Sequence, residues 1–212
     1  MNGFADIVAK SMSVILYPLF VPTYGMILFC WAHSLHIAPL NGVWIGVAIG
    51  GTFILTCVLP ITSIWIMMKN GDVKDLQIED RHQRTMPYLY SLLGFVFWSY
   101  LLTSILHAPL FLSFIAIGAT IAIGLVMLIN RFWKISAHLS GMGGLVGGIM
   151  TYCLGIGAVP TWNTIGLWLG LSWLLMYARL RLNAHTPAQV CTGWLLGMAC
   201  TFLPYCIYNY VA

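Results

Sequence analysis

Seven stretches of almost unbroken apolar residues, parted by short polar breaks, organise this chain. A helix needs about 20 such residues to cross the hydrocarbon core of a bilayer, and each stretch reaches or approaches that length. The pattern predicts a first helix from about Ser11 to Leu35, bent near Pro18 and Pro22, and a second from about Asn41 to Met68 with a kink at Pro60. A third runs from about Tyr88 to Leu106, and His107-Ala108-Pro109 turns the chain into a fourth, about Leu110 to Asn130. The fifth begins at His138, the sixth spans about Asn163 to Ala178, and the seventh runs from Pro187 to about Tyr208. These runs are continuous and do not alternate, which excludes a β-barrel. The expected fold class is all-α: a polytopic bundle of about seven transmembrane helices, forming a single integral membrane domain over residues 1–212.

Composition agrees. Apolar residues make up 60% of the chain and charged residues 7%, with a mean hydropathy of +0.91, far outside the range of a soluble domain. The expected partners are therefore the membrane and its lipids, with no nucleic acid. Asp6 and Lys10 precede the first apolar run, without the charged, apolar and small-residue succession of a leader, so no cleaved signal peptide is expected. Cysteines 30, 57, 153, 191, 200 and 206 all fall within apolar runs, lack Cys-x-x-Cys spacing, and read as small buried hydrophobes. The glycine-rich GMGGLVGG (141–148) predicts close backbone packing between helices.

The placement of the few charges changes the picture more than their number. They cluster in KNGDVKDLQIEDRHQRTMP (69–87), RFWKISAH (131–138) and the stretch 179–189. These segments follow the second, fourth and sixth helices, so parity brings all three to one membrane face. Thr186 reads as a helix N-cap, Pro187 as the first helical residue, and Gln189 as the partner that completes a capping box. Ser136 reads as the N-cap of the helix that His138 begins. Two positive helix ends thus face the space that Lys74, Arg81, Arg84, His138, Arg179, Arg181 and His185 share, which suits an anion. Two histidines among cations fit phosphoryl transfer: one imidazole attacks phosphorus, the other protonates the departing alkoxide, and the cations neutralise the equatorial oxygens. That scheme requires neither metal nor cofactor. The plainer reading is that interfacial Lys and Arg anchor helices to headgroups. His33, His36, His82 and His107 read as turn or interface residues.

Arg179, five residues, His185, three residues and Gln189 resemble the third signature of the type 2 phosphatidic acid phosphatase superfamily, Ser-Arg-x5-His-x3-Asp. This superfamily takes in lipid phosphate phosphatases and vanadium haloperoxidase-like proteins. Ile135-Ser136-Ala137-His138 resembles its second signature, Pro-Ser-Gly-His. Lys74 followed after six residues by Arg81 is similar to the first, Lys-x6-Arg-Pro; a second register gives the arginine role to Arg84, with Pro87 close behind. The resemblance covers about 74 to 189 and implies a six-helix phosphatase-like core and a membrane-bound hydrolase. It makes His185 the nucleophile and His138 the general acid. Lys74, Arg81 or Arg84, and Arg179 become phosphate ligands, aided by the backbone around Ser136 and Ala137. Ala178, Ile135, Ala137, His82 and Gln189 depart from the family's residues. Gln189 stands where an aspartate would orient the nucleophile: its oxygen can accept the Nδ1–H but supplies no charge, which implies slower chemistry or a compensating acid such as Glu79 or Asp80. Gln189 as a capping residue alone remains the other reading.

All nine lysines and arginines fall on one face by this helix count, and the positive-inside rule places that face in the cytoplasm of a bacterial inner membrane. Many proteins of the family that the chain resembles work on the opposite side. A site at headgroup depth suits a lipid-linked phosphate, and the expected function is a lipid phosphate phosphatase working through a phosphohistidine. The alternatives are a phosphotransferase using the same histidines, and a non-catalytic relative that binds or translocates a phospholipid.

Overall fold

The computed structural model of the protein describes residues 3–36, 40–73, 78, 81–157 and 162–211, and among them every regular element is a helix. The first expected helix is two. Tyr17-Pro18 breaks it into α1, Phe4–Ile15, and α2, Val21–His36, because a proline removes an N–H and clashes with the preceding turn. The second is continuous but distorted: α3, Gly42–Phe53, passes through a π turn at Ile54–Val58 into α4, Leu59–Lys69, so the helix widens just before Pro60. The third, α5, starts earlier than expected, at Thr85, runs to Tyr100, and ends in another π turn at Leu101–Ile105. The fourth, α6, spans Leu110–Asn130 as the pattern predicts. Then come α7, Ala137–Gly155, α8, Trp162–Arg181, and α9, Pro187–Val211.

Four of these segments, 42–69, 85–105, 110–130 and 187–211, are long and apolar enough to cross a bilayer. The protein is an integral membrane protein with an all-α bundle. Its outer surface carries large exposed apolar side chains such as Val43, Phe97, Ile121, Trp173 and Leu195, as a surface facing lipid tails should. The cysteines are free thiols; Cys30 and Cys57 are buried as expected, but Cys191 is exposed, because it lies on the outer side of α9.

The glycine cluster does what its pattern predicts. α7 and α9 run parallel in backbone contact: a methyl group on Gly143 would collide with the Trp194 carbonyl, and one on Gly197 with the Ser140 carbonyl. In hydrocarbon there is little hydrophobic drive between helices, so close van der Waals approach and interhelical hydrogen bonds hold them. Thr201 Oγ1 donates to the Gly144 carbonyl at 2.9 Å, and Thr151 Oγ1 to the Thr201 carbonyl at 2.7 Å. At the starts of the two helices, the Ser136 N–H donates to the Gln189 carbonyl at 3.3 Å. This packing sets two helix N-termini side by side.

α1 lies against α8, tied by an ion pair of 2.7 Å between Arg181 Nε and Asp6 Oδ1. Ala9 and Ser13 face inward while Phe4, Ile7, Val8, Val14 and Ile15 are exposed, the two-sided pattern of a helix lying in a membrane interface.

Candidate functional site

His185 sits in the turn between α8 and α9, and the capping box after it forms as the sequence predicts. The Gln189 N–H donates to Thr186 Oγ1 at 3.4 Å, and the Thr186 N–H donates to Gln189 Oε1 at 3.1 Å. That second bond fixes Oε1 as an acceptor. The same oxygen lies 3.0 Å from His185 Nδ1, so Nδ1 carries the proton and Nε2 keeps its lone pair. The two readings of Gln189 are therefore compatible, since one oxygen caps the helix and orients the imidazole. His185 is buried. Burial lowers its pKa from 6.5 to about 4; the Gln189 hydrogen bond opposes the shift, and Arg179, Arg84 and Lys134 add to it. At neutral pH the ring is uncharged.

His138 occupies the first turn of α7, after its N-cap Ser136, whose hydroxyl accepts from the Leu139 N–H at 3.5 Å. Its Nε2 lies 3.1 Å from the Ser13 carbonyl in α1. A carbonyl only accepts, so the proton is on Nε2, and Nδ1 is the nitrogen left for chemistry. The tautomer is the reverse of that in His185. Tyr17 packs edge-on against the ring, with centroids 5.4 Å apart and planes at 88°.

Arg179, in the last turn of α8, is 5% exposed, and its Nε has no hydrogen-bond partner among the described residues. It feels the charge of Arg84 and the phenol of Tyr17. Arg84 is also buried; its Nε donates to the Ile78 carbonyl at 2.7 Å, and its side chain hydrogen-bonds to Tyr88. Arg84, one of the two arginines that the first signature left open, thus reaches the cavity. Arg81 begins the 3-10 turn Arg81–Arg84, but its side chain, like the whole of Lys74, Glu79 and Asp80, lies outside the described residues. Arg181 stands apart: it is exposed and committed to Asp6 and Tyr177. Ser136 is fully buried, with its N–H and its hydroxyl both engaged, so it frames the site while Ala137 lines it.

Arg84, His138, Arg179 and His185 line one cavity of about 210 Å³, with Tyr17, Tyr88 and Ala137 beside them. No described acidic residue lines it. From this polar end the cavity continues between α2, α5 and α6 along Met26, Phe29, Leu102, Leu112 and Val126. Sequence reasoning missed Tyr17, Tyr88 and the Ser13 carbonyl. The two tyrosines sit at the edges of apolar runs, where aromatic residues are ordinary, and a backbone carbonyl leaves no mark in a sequence. His33 packs against Phe111 at 6.3 Å and His107 takes a left-handed turn at φ 46°; neither lines the cavity. Comparison with protein-family models, with curated proteins and with solved structures finds no match to this chain.

Proposed function

We propose that the protein hydrolyses a phosphomonoester or diphosphate of a membrane lipid through a phosphohistidine on His185. One observation carries this reading: two buried guanidinium groups and two histidines of opposite tautomer share a cavity that no described carboxylate lines. Buried cations with no opposite charge lining their cavity among the described residues are costly, and a bound dianion supplies that charge. The apolar continuation of the cavity accommodates a lipid tail, whereas a soluble phosphate ester has no need of it.

In the first half-reaction the His185 Nε2 lone pair forms the N–P bond as the P–O bond to the lipid breaks, and His138 gives the departing alkoxide a proton from Nδ1. Because Nε2 of His138 is already protonated, His138 enters this step as an imidazolium, with the bound phosphate as its counter-charge. In the second, water attacks the phosphohistidine and passes its proton to His138 Nδ1; phosphate leaves and His185 is restored. Arg84, Arg179 and the N-termini of α7 and α9 stabilise the charge on the equatorial oxygens throughout. Lys69, Arg131, Lys134 and Arg181 lie in the segments at the site end of the bundle, which supports a cytoplasmic site in a bacterial inner membrane. An Asn70→Cys variant should then resist an impermeant thiol reagent in intact cells.

The test is phosphate release by the detergent-purified protein from phosphatidic acid, phosphatidylglycerophosphate, polyprenyl diphosphate and a lipid A phosphate, with EDTA present, beside His185→Ala. Release that persists in EDTA and vanishes in the variant supports the reading. Release that His185→Ala leaves intact sinks it, and transfer of phosphate to a lipid alcohol in place of water turns the hydrolase into a phosphotransferase.

A further inference from the structure

The last four carbonyls of a helix have no partner within it, and in α1 each is met from outside the regular ladder or by the turn that follows. Met12 accepts from the Leu16 N–H at 2.9 Å and Val14 from the Tyr17 N–H at 3.2 Å. Ile15 accepts from the Tyr24 hydroxyl at 3.0 Å, and Ser13 accepts from His138 Nε2 at 3.1 Å. The Ser13 side chain takes no part, since its hydroxyl turns back to the Ala9 carbonyl at 2.9 Å. The negative end of a helix dipole therefore meets a ring nitrogen of His138, in the position where a carboxylate would often stand.

We propose that α1 is a working part of the site: its C-terminal end, through the Ser13 carbonyl, positions His138 and holds the tautomer that leaves Nδ1 free to serve the leaving group. The proposal rests on the phosphatase reading for its kinetic consequence, but not for the tautomer itself. The other groups facing His138 are Tyr17 from the turn after α1, Arg84 from the segment before α5, Arg179 from α8 and His185 from the turn before α9. Burial opposes a cationic ring most, and the three that carry or can carry positive charge oppose it too. The end of α1 and the bound phosphate are what favour it. The Asp6–Arg181 ion pair ties α1 to α8, so His138 is held by an element that is itself attached to the helix carrying Arg179.

A backbone carbonyl is tested by backbone chemistry. Replacing Val14 by its α-hydroxy analogue in the full-length protein makes the Ser13 carbonyl an ester and a weaker acceptor, with every side chain intact. The same exchange at Ile15 weakens the Val14 carbonyl instead and serves as the control. In protein labelled with nitrogen-15 histidine, the His138 resonances, assigned with His138→Gln, should show Nε2 protonated. They should move in the Val14 ester, and hold in the Ile15 ester, with inorganic phosphate as the titrated probe. The Val14 ester should lower kcat about tenfold with KM unchanged, while the control stays within about twofold. An Nδ1-protonated His138, or equal effects from the two esters, overturns the proposal. If the wild type releases no phosphate, the phosphatase reading fails, and the resonances still decide whether α1 positions His138.

Discussion

His185 and His138 occupy matching places, each at the start of a helix, and those two helices are the most closely packed pair in the bundle. What holds each ring differs. His185 is oriented by Gln189, four residues away on the same turn, through an oxygen that also caps the helix. His138 is oriented by a carbonyl 125 residues away, on a helix that belongs to neither partner of the pair. The His185 ring is thus set by local chemistry and keeps its orientation as long as α9 begins where it does. The His138 ring depends on an assembly. A local support fixes a tautomer cheaply, whereas a distant one makes the tautomer conditional on another element being in place.

The largest effects should come from removing the rings. His185→Ala and His138→Ala are each expected to lower kcat by about 10³-fold or more in protein that remains folded by circular dichroism. A lipid analogue with a nitrophenolate leaving group separates the two roles: it needs no proton, so it should rescue the first half-reaction of His138→Ala, seen as a burst of nitrophenolate, and leave His185→Ala inactive. Equal rescue, or none, would dissolve the division between nucleophile and acid.

Arg179→Lys should rank next, with kcat/KM lower by about 10- to 100-fold, because an ammonium cannot replace two-pronged contact with phosphate oxygens. An unchanged value would assign Arg179 to helix anchoring.

Gln189→Glu tests the local support alone. It keeps the reach to His185 Nδ1 and the Thr186 N–H but adds a negative charge, which raises the His185 pKa from its depressed value of about 4. In the proposed mechanism the neutral ring attacks phosphorus, so the acid limb of the pH–rate profile should move to higher pH, by about one unit. Wild-type stability carries the same signature. Between the ordinary value of 6.5 and about 4 the unfolded ring takes up a proton that the folded ring refuses, so stability should fall as pH drops through that window. Gln189→Glu should shrink the fall; thermal melts at pH 7 and pH 5 measure it.

Gly143→Ala disturbs both histidines through their shared helices, and overpacking of this kind costs about 1–3 kcal/mol. A lower melting temperature with little change in KM is the expected result. The smallest effect belongs to Asp6→Asn, which removes an exposed ion pair and should leave stability almost unaltered.

Helices are legible here because apolar length is a strong signal, and α6 falls on Leu110–Asn130 as its pattern reads. The capping box at Thr186 to Gln189 and the N-cap at Ser136 are legible for a related reason: each bond closes over three residues. The glycines of α7 announced close packing without naming its partner. Other features were not readable. Whether Tyr17-Pro18 bends a helix or ends it depends on what α1 finds to pack against, which is α8. That Arg84 lines the cavity follows from the 3-10 turn before α5 and from the Ile78 carbonyl, neither of which leaves a periodic trace.

Three features can be read without any structure: a membrane-embedded α-helical chain, charges clustered in the segments between its apolar runs, and two histidines at helix starts. Each of these depends on composition or on contacts a few residues apart, where chain connectivity does the placing. Only the packing of the helices shows that Arg84 lines the cavity with the histidines, that the cavity extends into the apolar interior, and that the carbonyl of Ser13 meets His138. Those depend on helices far apart in the chain meeting in space, and no local rule specifies which meet.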